Sequence, residues 1–222
     1  MSAGSCIFAA MTSTTTPATF INAGELSLLK GRQVYLEFLT EGHREVLRPL
    51  ARDERIWEFT KTLLLTDTYD QQFDNYFNEA LAIAGSGGQA FAIVSSGDKR
   101  IIGMTRAYDV DRKVKKVTIG YTWYVPDVWG KVHNKECKLL LLQYIFDTLG
   151  FVRAELRVAS QNIRSQKAVA KIGGVKEAVL RKFALRGDGS STDTVIFSIL
   201  DDEWPEKKQQ LLRLVAETQN LE

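Results

Sequence analysis

The spacing of hydrophobic and polar positions changes several times along the chain, and each change marks an element. In Arg32–Leu39, Val34, Leu36 and Phe38 alternate with polar residues, which predicts a first strand. A helix starts at Thr40–Glu41, with Thr40 placed as its N-cap and His43 to Leu50 on it, and a shorter helical patch lies at Ile56–Phe59. Thr60–Thr68 reads as loop. Over Asp70–Ala84 the period becomes helical, with Phe73, Tyr76, Phe77, Leu81 and Ala84 on one face. Gly85-Ser86-Gly87-Gly88 ends that helix. Alternation then returns in Gln89–Ser95 and Arg100–Tyr108, joined through Gly97-Asp98 as a hairpin. A charged turn at Asp109–Lys113 leads into a long strand, Val114–Val125, which Pro126 breaks.

After Pro126 the order of elements changes. Asn134–Leu149 is apolar almost all round and predicts a buried helix stopped by Gly150. Val152, Ala154, Leu156 and Val158 then alternate with Arg153, Glu155 and Arg157 as a strand, and a helix over Ile163–Ile172 stops at Gly173-Gly174. Strand, helix and strand of these lengths require a crossover and a parallel pair. The strands Val175–Leu185 and Thr192–Leu200 form a hairpin through the turn at 186–190, and Asp202–Leu214 is a final helix. The fold class expected is therefore α+β: a mostly antiparallel mixed sheet with a central splayed parallel pair, flanked by helices. Ligands of such sheets sit where neighbouring parallel strands diverge towards their helices.

Composition narrows the setting. The 222 residues suit one domain, residues 26–222, behind a tail at 1–25 that is small and polar and carries the run Thr12–Thr16 and Pro17. The formal net charge is +2, so no strong nucleic-acid or membrane field is expected. Arg153, Arg157, Arg164, Lys167 and Lys171 form a basic stretch without an aromatic platform, which speaks against nucleic acid as a partner. No apolar run approaches a membrane span, and CIFAA at Cys6–Ala10 is too short for a signal-peptide core. Two cysteines, Cys6 and Cys137, suit a reducing cytoplasm, with Cys137 read as a buried helix thiol. His43 and His133 have no metal-site spacing, so no metal is expected.

Two corners carry candidate chemistry. The first is Val125–Asn134, VPDVWGKVHN, where Gly130 permits close backbone approach, Lys131 and His133 add positive character and Asn134 caps the following helix. The second is Ala159–Ser165, ASQNIRS, where Asn162 caps the next helix. Both parallel strands end on the same side, so both helix starts face one crevice. Converging helix N-termini suit a ligand that bears several phosphates.

The stretches IGYTWYVPDVWGKVHNKECK, RAELRVASQNIRSQKAVAKIGGVKEAVLRK and DTVIFSILDDEWP resemble the GNAT superfamily of N-acetyltransferases, in its RimJ/RimL-like branch. That branch includes ribosomal-protein N-terminal acetyltransferases. The resemblance implies acetyl-CoA as co-substrate and a primary amine as acceptor, either a peptide N-terminus or a small amino compound. The family's Q/R-x-x-G-x-G/A loop falls on Trp129, Gly130, Lys131, Val132, His133 and Asn134, which would cradle the pyrophosphate. The edge Trp123, Tyr124, Val125 would bond the pantetheine, Asn162 would meet its far side, and Ser165 would lie towards the nucleotide. Arg164 or Lys167 would pair with the 3′-phosphate, against solvated helix charges as the plain alternative.

The chain departs from the pattern at the loop and at the acid/base positions. Val132 stands where many relatives have a second glycine. Thr118 stands where the branch often has a glutamate, two residues before Gly120, and Val169 falls near the tyrosine acid of other branches. An amine attacking the thioester directly, with an N–H near Val125 on the oxyanion, is the mechanism expected. Asn134 and Glu136 are the candidate catalytic residues, against plain capping and a helix-dipole role respectively. Asp127 would meet a cationic amine, Tyr121 and Trp123 would line the acceptor path, and residues 56–70 would set specificity. Trp57, Phe59, Tyr69 and Trp204 read as packing. The competing class is an acyl-CoA-binding regulatory or assembly module with little catalysis. The C-terminal hairpin offers an edge on which a homodimer would pair.

Overall fold

A computed structural model describes residues 28–220. The expected tail at 1–25, with Cys6, lies outside the described residues. One sheet of eight strands organises the fold, in the order β1-β2-β3-β4-β5-β6-β8-β7. The strands are β1 (Leu28–Lys30), β2 (Val34–Phe38), β3 (Gln89–Ser95), β4 (Ile101–Asp111), β5 (Lys116–Tyr124), β6 (Arg153–Ala159), β7 (Val175–Leu185) and β8 (Ser191–Leu200). Among the described strand pairs, β5 and β6 alone run parallel. The helices are α1 (Arg44–Leu50), α2 (Tyr69–Ala82), α3 (Val132–Gln143), α4 (Ile163–Lys171) and α5 (Trp204–Gln219). The mixed sheet with one central parallel pair is therefore as expected.

Alternation along the strands sorts two cores onto the two faces of the sheet. In β3, Phe91 and Ile93 join Val34, Leu36 and Ile102 in a core with Leu141, Leu142 and Ile145 of the α3 segment and Leu211 and Val215 of α5. The intervening Ala90 and Ala92 join Leu47, Trp57, Phe73, Tyr76 and Phe77 on the other face. Small residues on β3 thus make room for the aromatic stripe of α2. Phe73 and Phe77 are fully buried, and each contributes about 1.5–3 kcal/mol by leaving water. Arg44 and Arg48 lie over the Phe77 and Phe73 rings and share Asp74, which pins α1 to α2.

Several boundaries differ from expectation. β1 was not foreseen, because three residues are too few to show a period. Thr40 opens a 3-10 turn, Glu41–His43, ahead of α1. There His43 Nδ1 accepts the Thr40 N–H at 3.0 Å, which leaves Nε2 to donate to Glu37 at 3.1 Å. β4 runs on to Asp111, whose carboxylate accepts the Lys113 and Val114 amides and so makes the turn two residues later. α3 starts at Val132, two residues early, with Lys131 rather than Asn134 as its N-cap. Its end widens into a π turn at Tyr144–Thr148, so the predicted single helix changes pitch before Gly150.

Strands β6, β8 and β7 are tied by ionic and hydroxyl contacts. Arg153 donates to Glu177 at 2.8 Å, as does Ser198 Oγ at 2.6 Å. These bonds to Arg153 and Ser198 hold the Glu177 carboxyl down at about 2. A carboxyl depressed in the folded state stabilises above its ordinary value near 4.5 and loses that contribution as pH falls towards 2. Because its side chain is 36% exposed, the contribution is modest. Urea midpoints measured from pH 6 to pH 2.5 are expected to fall less steeply for Glu177→Gln than for the parent. Identical slopes would show that the bridge does not couple to folding.

Candidate active site

The site begins with a register break. Met104 pairs with Trp123 and Arg106 pairs with Gly120, so Thr105 alone faces Tyr121 and Thr122. One extra residue on β5 makes a bulge, and Tyr121 takes it up at φ 49°. Gly103 admits the close approach that follows, since a Cβ there would lie 2.1 Å from the Trp123 carbonyl oxygen. Pairing of β5 with β6 starts at Lys116 and Arg153 and stops at Ile119 and Leu156. Beyond the bulge the parallel strands part.

The resulting gap is a crevice of about 480 Å³. Its lining joins the open edges of β5 and β6 to the starts of α3 and α4. Of the predicted binding residues, Trp123, Tyr124, Trp129, Gly130, Lys131, Asn134, Asn162 and Ser165 line it together. Asn162 caps α4 as expected, its Oδ1 accepting the Ser165 N–H at 2.9 Å. Trp129 donates its indole N–H to the Tyr124 carbonyl at 2.9 Å and carries the Arg164 guanidinium over its ring at 4.1 Å. Gly130, at φ 77°, then turns the chain into α3. Among the described residues of the lining, six are basic (Lys131, Lys135, Lys138, Arg157, Arg164 and Lys171) and none is acidic. Two helix starts and the five basic residues other than the buried Lys138 make the crevice a receptor for a polyanion. Among the described residues, no group of three or more His, Cys, Asp or Glu side chains is placed to hold a metal.

Val125, Val132 and His133 are not among the lining residues. The Val125 N–H is bonded to the Ile102 carbonyl at 2.9 Å, so it faces β4 and not the gap. The N–H of Val125 itself is therefore not open to the gap. Alternation turns the Tyr124 backbone towards the gap, where its carbonyl already receives Trp129. Val132 is fully buried at the first position of α3 and needs no left-handed backbone. A glycine is not required there, and the departure from the loop pattern carries no conformational cost.

Two acidic candidates are placed elsewhere. Glu136 is 5% exposed and accepts backbone N–H bonds from Arg32 at 3.0 Å, Gln33 at 2.6 Å and Val34 at 2.7 Å. It clamps the turn between β1 and β2 onto α3. A Cβ on Gly31 would lie 2.8 Å from the same carboxylate. Its acceptor capacity is spent on structure, so the catalytic role expected for Glu136 does not fit its position. Asp127 pairs with Arg100 at 2.6 Å and also stays out of the crevice lining. Thr118 is buried in the sheet between Tyr108 and Glu155, and Val169 lines the crevice without an ionisable group. Cys137 is buried, as expected, and burial pushes its thiol up.

The far wall comes from the aromatic core. Trp57 is buried, donates its indole N–H to the Ala51 carbonyl at 2.8 Å and lies 5.9 Å from the Trp123 ring. Ile56 and Thr60 reach the crevice from the same segment, which falls at the edge of the 56–70 region expected to meet the acceptor. Tyr121 is exposed and caps the Arg106 guanidinium at 4.3 Å, with Tyr76 on the opposite side at 4.2 Å. Sequence reasoning missed Lys138. It is 5% exposed, lines the crevice and donates to Thr122 Oγ1 at 2.7 Å. Burial holds its amine below the ordinary lysine range, slightly opposed by Cys137. The signal was present: a helix apolar nearly all round leaves its lysine no solvated face.

A mixed sheet parted at a bulge beside two helix starts is the architecture of an acetyltransferase fold. The chain belongs to the acetyltransferase (GNAT) domain family, whose profile matches residues 33–175. It is 32% identical over 113 residues to the "SPbeta prophage-derived uncharacterized N-acetyltransferase YokL" of Bacillus subtilis, covering 50% of this chain and 62% of that protein. The "Uncharacterized N-acetyltransferase YoaA" of the same organism is 29% identical over 102 residues, covering 46% of this chain and 56% of that one. The chain thus spans about six-tenths of the length of these curated relatives. The crystal structure of a GCN5-related N-acetyltransferase from Brucella melitensis superposes with a TM-score of 0.74 at 25% identity, covering 85% of each chain.

Proposed function

We propose that the protein transfers the acetyl group of acetyl-CoA to a primary amine by direct attack in a ternary complex. The observation that supports this best is the opened β5–β6 gap, flanked by two helix starts and lined by six basic and no acidic described residues. The pyrophosphate sits at Gly130–Asn134, the pantetheine runs along the β5 edge, and Arg164 on Trp129 is placed for the nucleotide phosphates. The Tyr124 N–H is the candidate donor to the thioester oxyanion. Asn134 lines the crevice and orients the acceptor or a water.

The acceptor must be neutral to attack. An α-amine, with a pKa of about 8, is roughly a fifth neutral near pH 7.4, whereas a lysine side chain is neutral in only about one molecule in a thousand. With Thr118 and Val169 at the usual acid/base positions, an α-amine or another amine of low pKa is the better acceptor. This agrees with the RimJ/RimL-like reading of the motifs. A polycation is disfavoured by the basic lining.

Release of CoA thiol, followed across peptide α-amines, free amino acids, amino sugars and polyamines, tests the proposal. Acceptor-dependent release, largest for α-amines, is expected. The absence of a side-chain base at Thr118 and Val169 favours one rival, an acyl-CoA-binding module. Tight binding of acetyl-CoA without release for any amine would establish that rival instead.

A further inference from the structure

We propose that Lys138 is the catalytic base of this site, taking the proton of the attacking amine and returning it to the CoA sulfur. The inference rests on the acetyl-transfer reading above and supplies the group that Thr118 and Val169 do not.

Lys138 lies in the second turn of α3 and reaches the crevice beside the bulge that parts β5 from β6. Its Nζ donates to Thr122 Oγ1 at 2.7 Å, and Thr122 Oγ1 lies 2.8 Å from Thr105 Oγ1. Thr122 is two residues from Tyr124, whose backbone faces the gap. The amine is therefore held on the floor of the crevice, at the strand edge where the thioester is placed.

A buried ammonium normally requires a carboxylate, because desolvation otherwise opposes the charge. Among the described residues no carboxylate pairs with Lys138. Glu136, two residues earlier, is occupied by three backbone N–H groups of the β1–β2 turn. The hydroxyls of Thr105 and Thr122 are neutral. The charged groups that line the same crevice are Lys131 and Lys135 from α3, Arg157 from β6, and Arg164 and Lys171 from α4, all of them cations. Burial pushes the neighbouring Cys137 thiol and Tyr124 phenol up, so neither supplies a negative charge near neutral pH. Burial acts towards a neutral amine with an available lone pair, and Cys137 opposes it. Thr122 fixes that amine through one of its N–H bonds.

The step balances. The acceptor nitrogen forms the N–C bond to the acetyl carbonyl carbon, and the C–S bond breaks with its electron pair on sulfur. The proton lost by the nitrogen passes to Lys138 Nζ and then to the thiolate, so CoA leaves as the thiol and Lys138 returns to the neutral amine. No oxidant, reductant or further reactant is needed.

The experiment compares the parent with Lys138→Met and Lys138→Arg. It measures thiol release against pH, acetyl-CoA affinity by calorimetry, and the titration of Lys138 by NMR of 13C-labelled lysine, with Lys138→Met assigning the resonance. Lys138→Met is expected to lower kcat about 100-fold or more. Its acetyl-CoA Kd should stay within about twofold of the parent, and it should lose the acidic limb of the parent's kcat profile. Lys138→Arg should fail equally, because a guanidinium keeps its proton. The NMR signal should show a neutral amine at pH 7.5. A Lys138 that is charged at that pH overturns the proposal whatever the activity, and so does Lys138→Met with the parent's kcat and pH profile. A Lys138→Met protein that folds but no longer binds acetyl-CoA would show a cofactor-positioning role and overturn it too. A parent that releases no thiol with any amine overturns the transfer reading itself, and with it the base.

Discussion

Replacing Glu136 with alanine is expected to lower the free energy of unfolding by about 3 kcal/mol, while turnover per folded molecule stays close to the parent's. The carboxylate accepts three backbone N–H bonds, from Arg32, Gln33 and Val34. A hydrogen bond to a charged group contributes about 1.5–3 kcal/mol, and a buried donor left without a partner costs about 1–3 kcal/mol. The bond to Val34 lies in a buried environment, whereas the other two are partly open, so water recovers some of the loss. Glu136→Gln should lose nearly as much, because its amide nitrogen would turn one donor against another. Urea denaturation with thiol release on the folded fraction checks both statements. Unchanged stability with lost turnover would return Glu136 to the chemistry and remove its assignment as a clamp.

Replacing Gly130 with valine is expected to weaken acetyl-CoA binding about 5- to 30-fold with little change in global stability. Gly130 stands at φ 77°, and a Cβ there meets no atom within 4 Å. The cost is thus conformational and not steric against neighbours. A left-handed backbone costs an ordinary residue about 1–2 kcal/mol, and a β-branched side chain suits it poorly. The loop escapes that strain by moving φ, which turns its amides and the start of α3 away from the pyrophosphate position. A difference of 1–2 kcal/mol corresponds to about the 5- to 30-fold range. Gly130→Asn should lose less, since asparagine tolerates this region. Calorimetric titration with acetyl-CoA reads the effect. An unchanged Kd in Gly130→Val would mean that the loop does not cradle the phosphates.

Much of the architecture was legible because period and punctuation agree. Gln89–Ser95, Val175–Leu185 and the crossover through α3 follow from alternation, helical spacing and glycine stops, and the structure places them as expected. Asn162 was readable as a cap because capping is a local property of residue type and spacing. What failed depended on partners distant in sequence. Glu136 looked like a site acid because it follows the phosphate loop, yet its partners are 102 to 104 residues away. Val125 itself turns its N–H to β4 because the hydrogen-bonding side of a strand is set by its neighbour's register, which the bulge shifts. Val132 looked anomalous as a missing glycine. It is simply a buried first residue of α3, and the positive φ falls at Gly130.

The central claim, that acetyl-CoA lies in the parted β5–β6 strands, is tested most directly by amide hydrogen exchange of the full chain with and without acetyl-CoA. Slowed exchange is expected at Tyr124, across Gly130–Lys135 and across Arg157–Ser165, with little change in α1 or β7. Measurable binding without protection at Tyr124 and the start of α3, or with protection confined to the α1–α2 face, would contradict it.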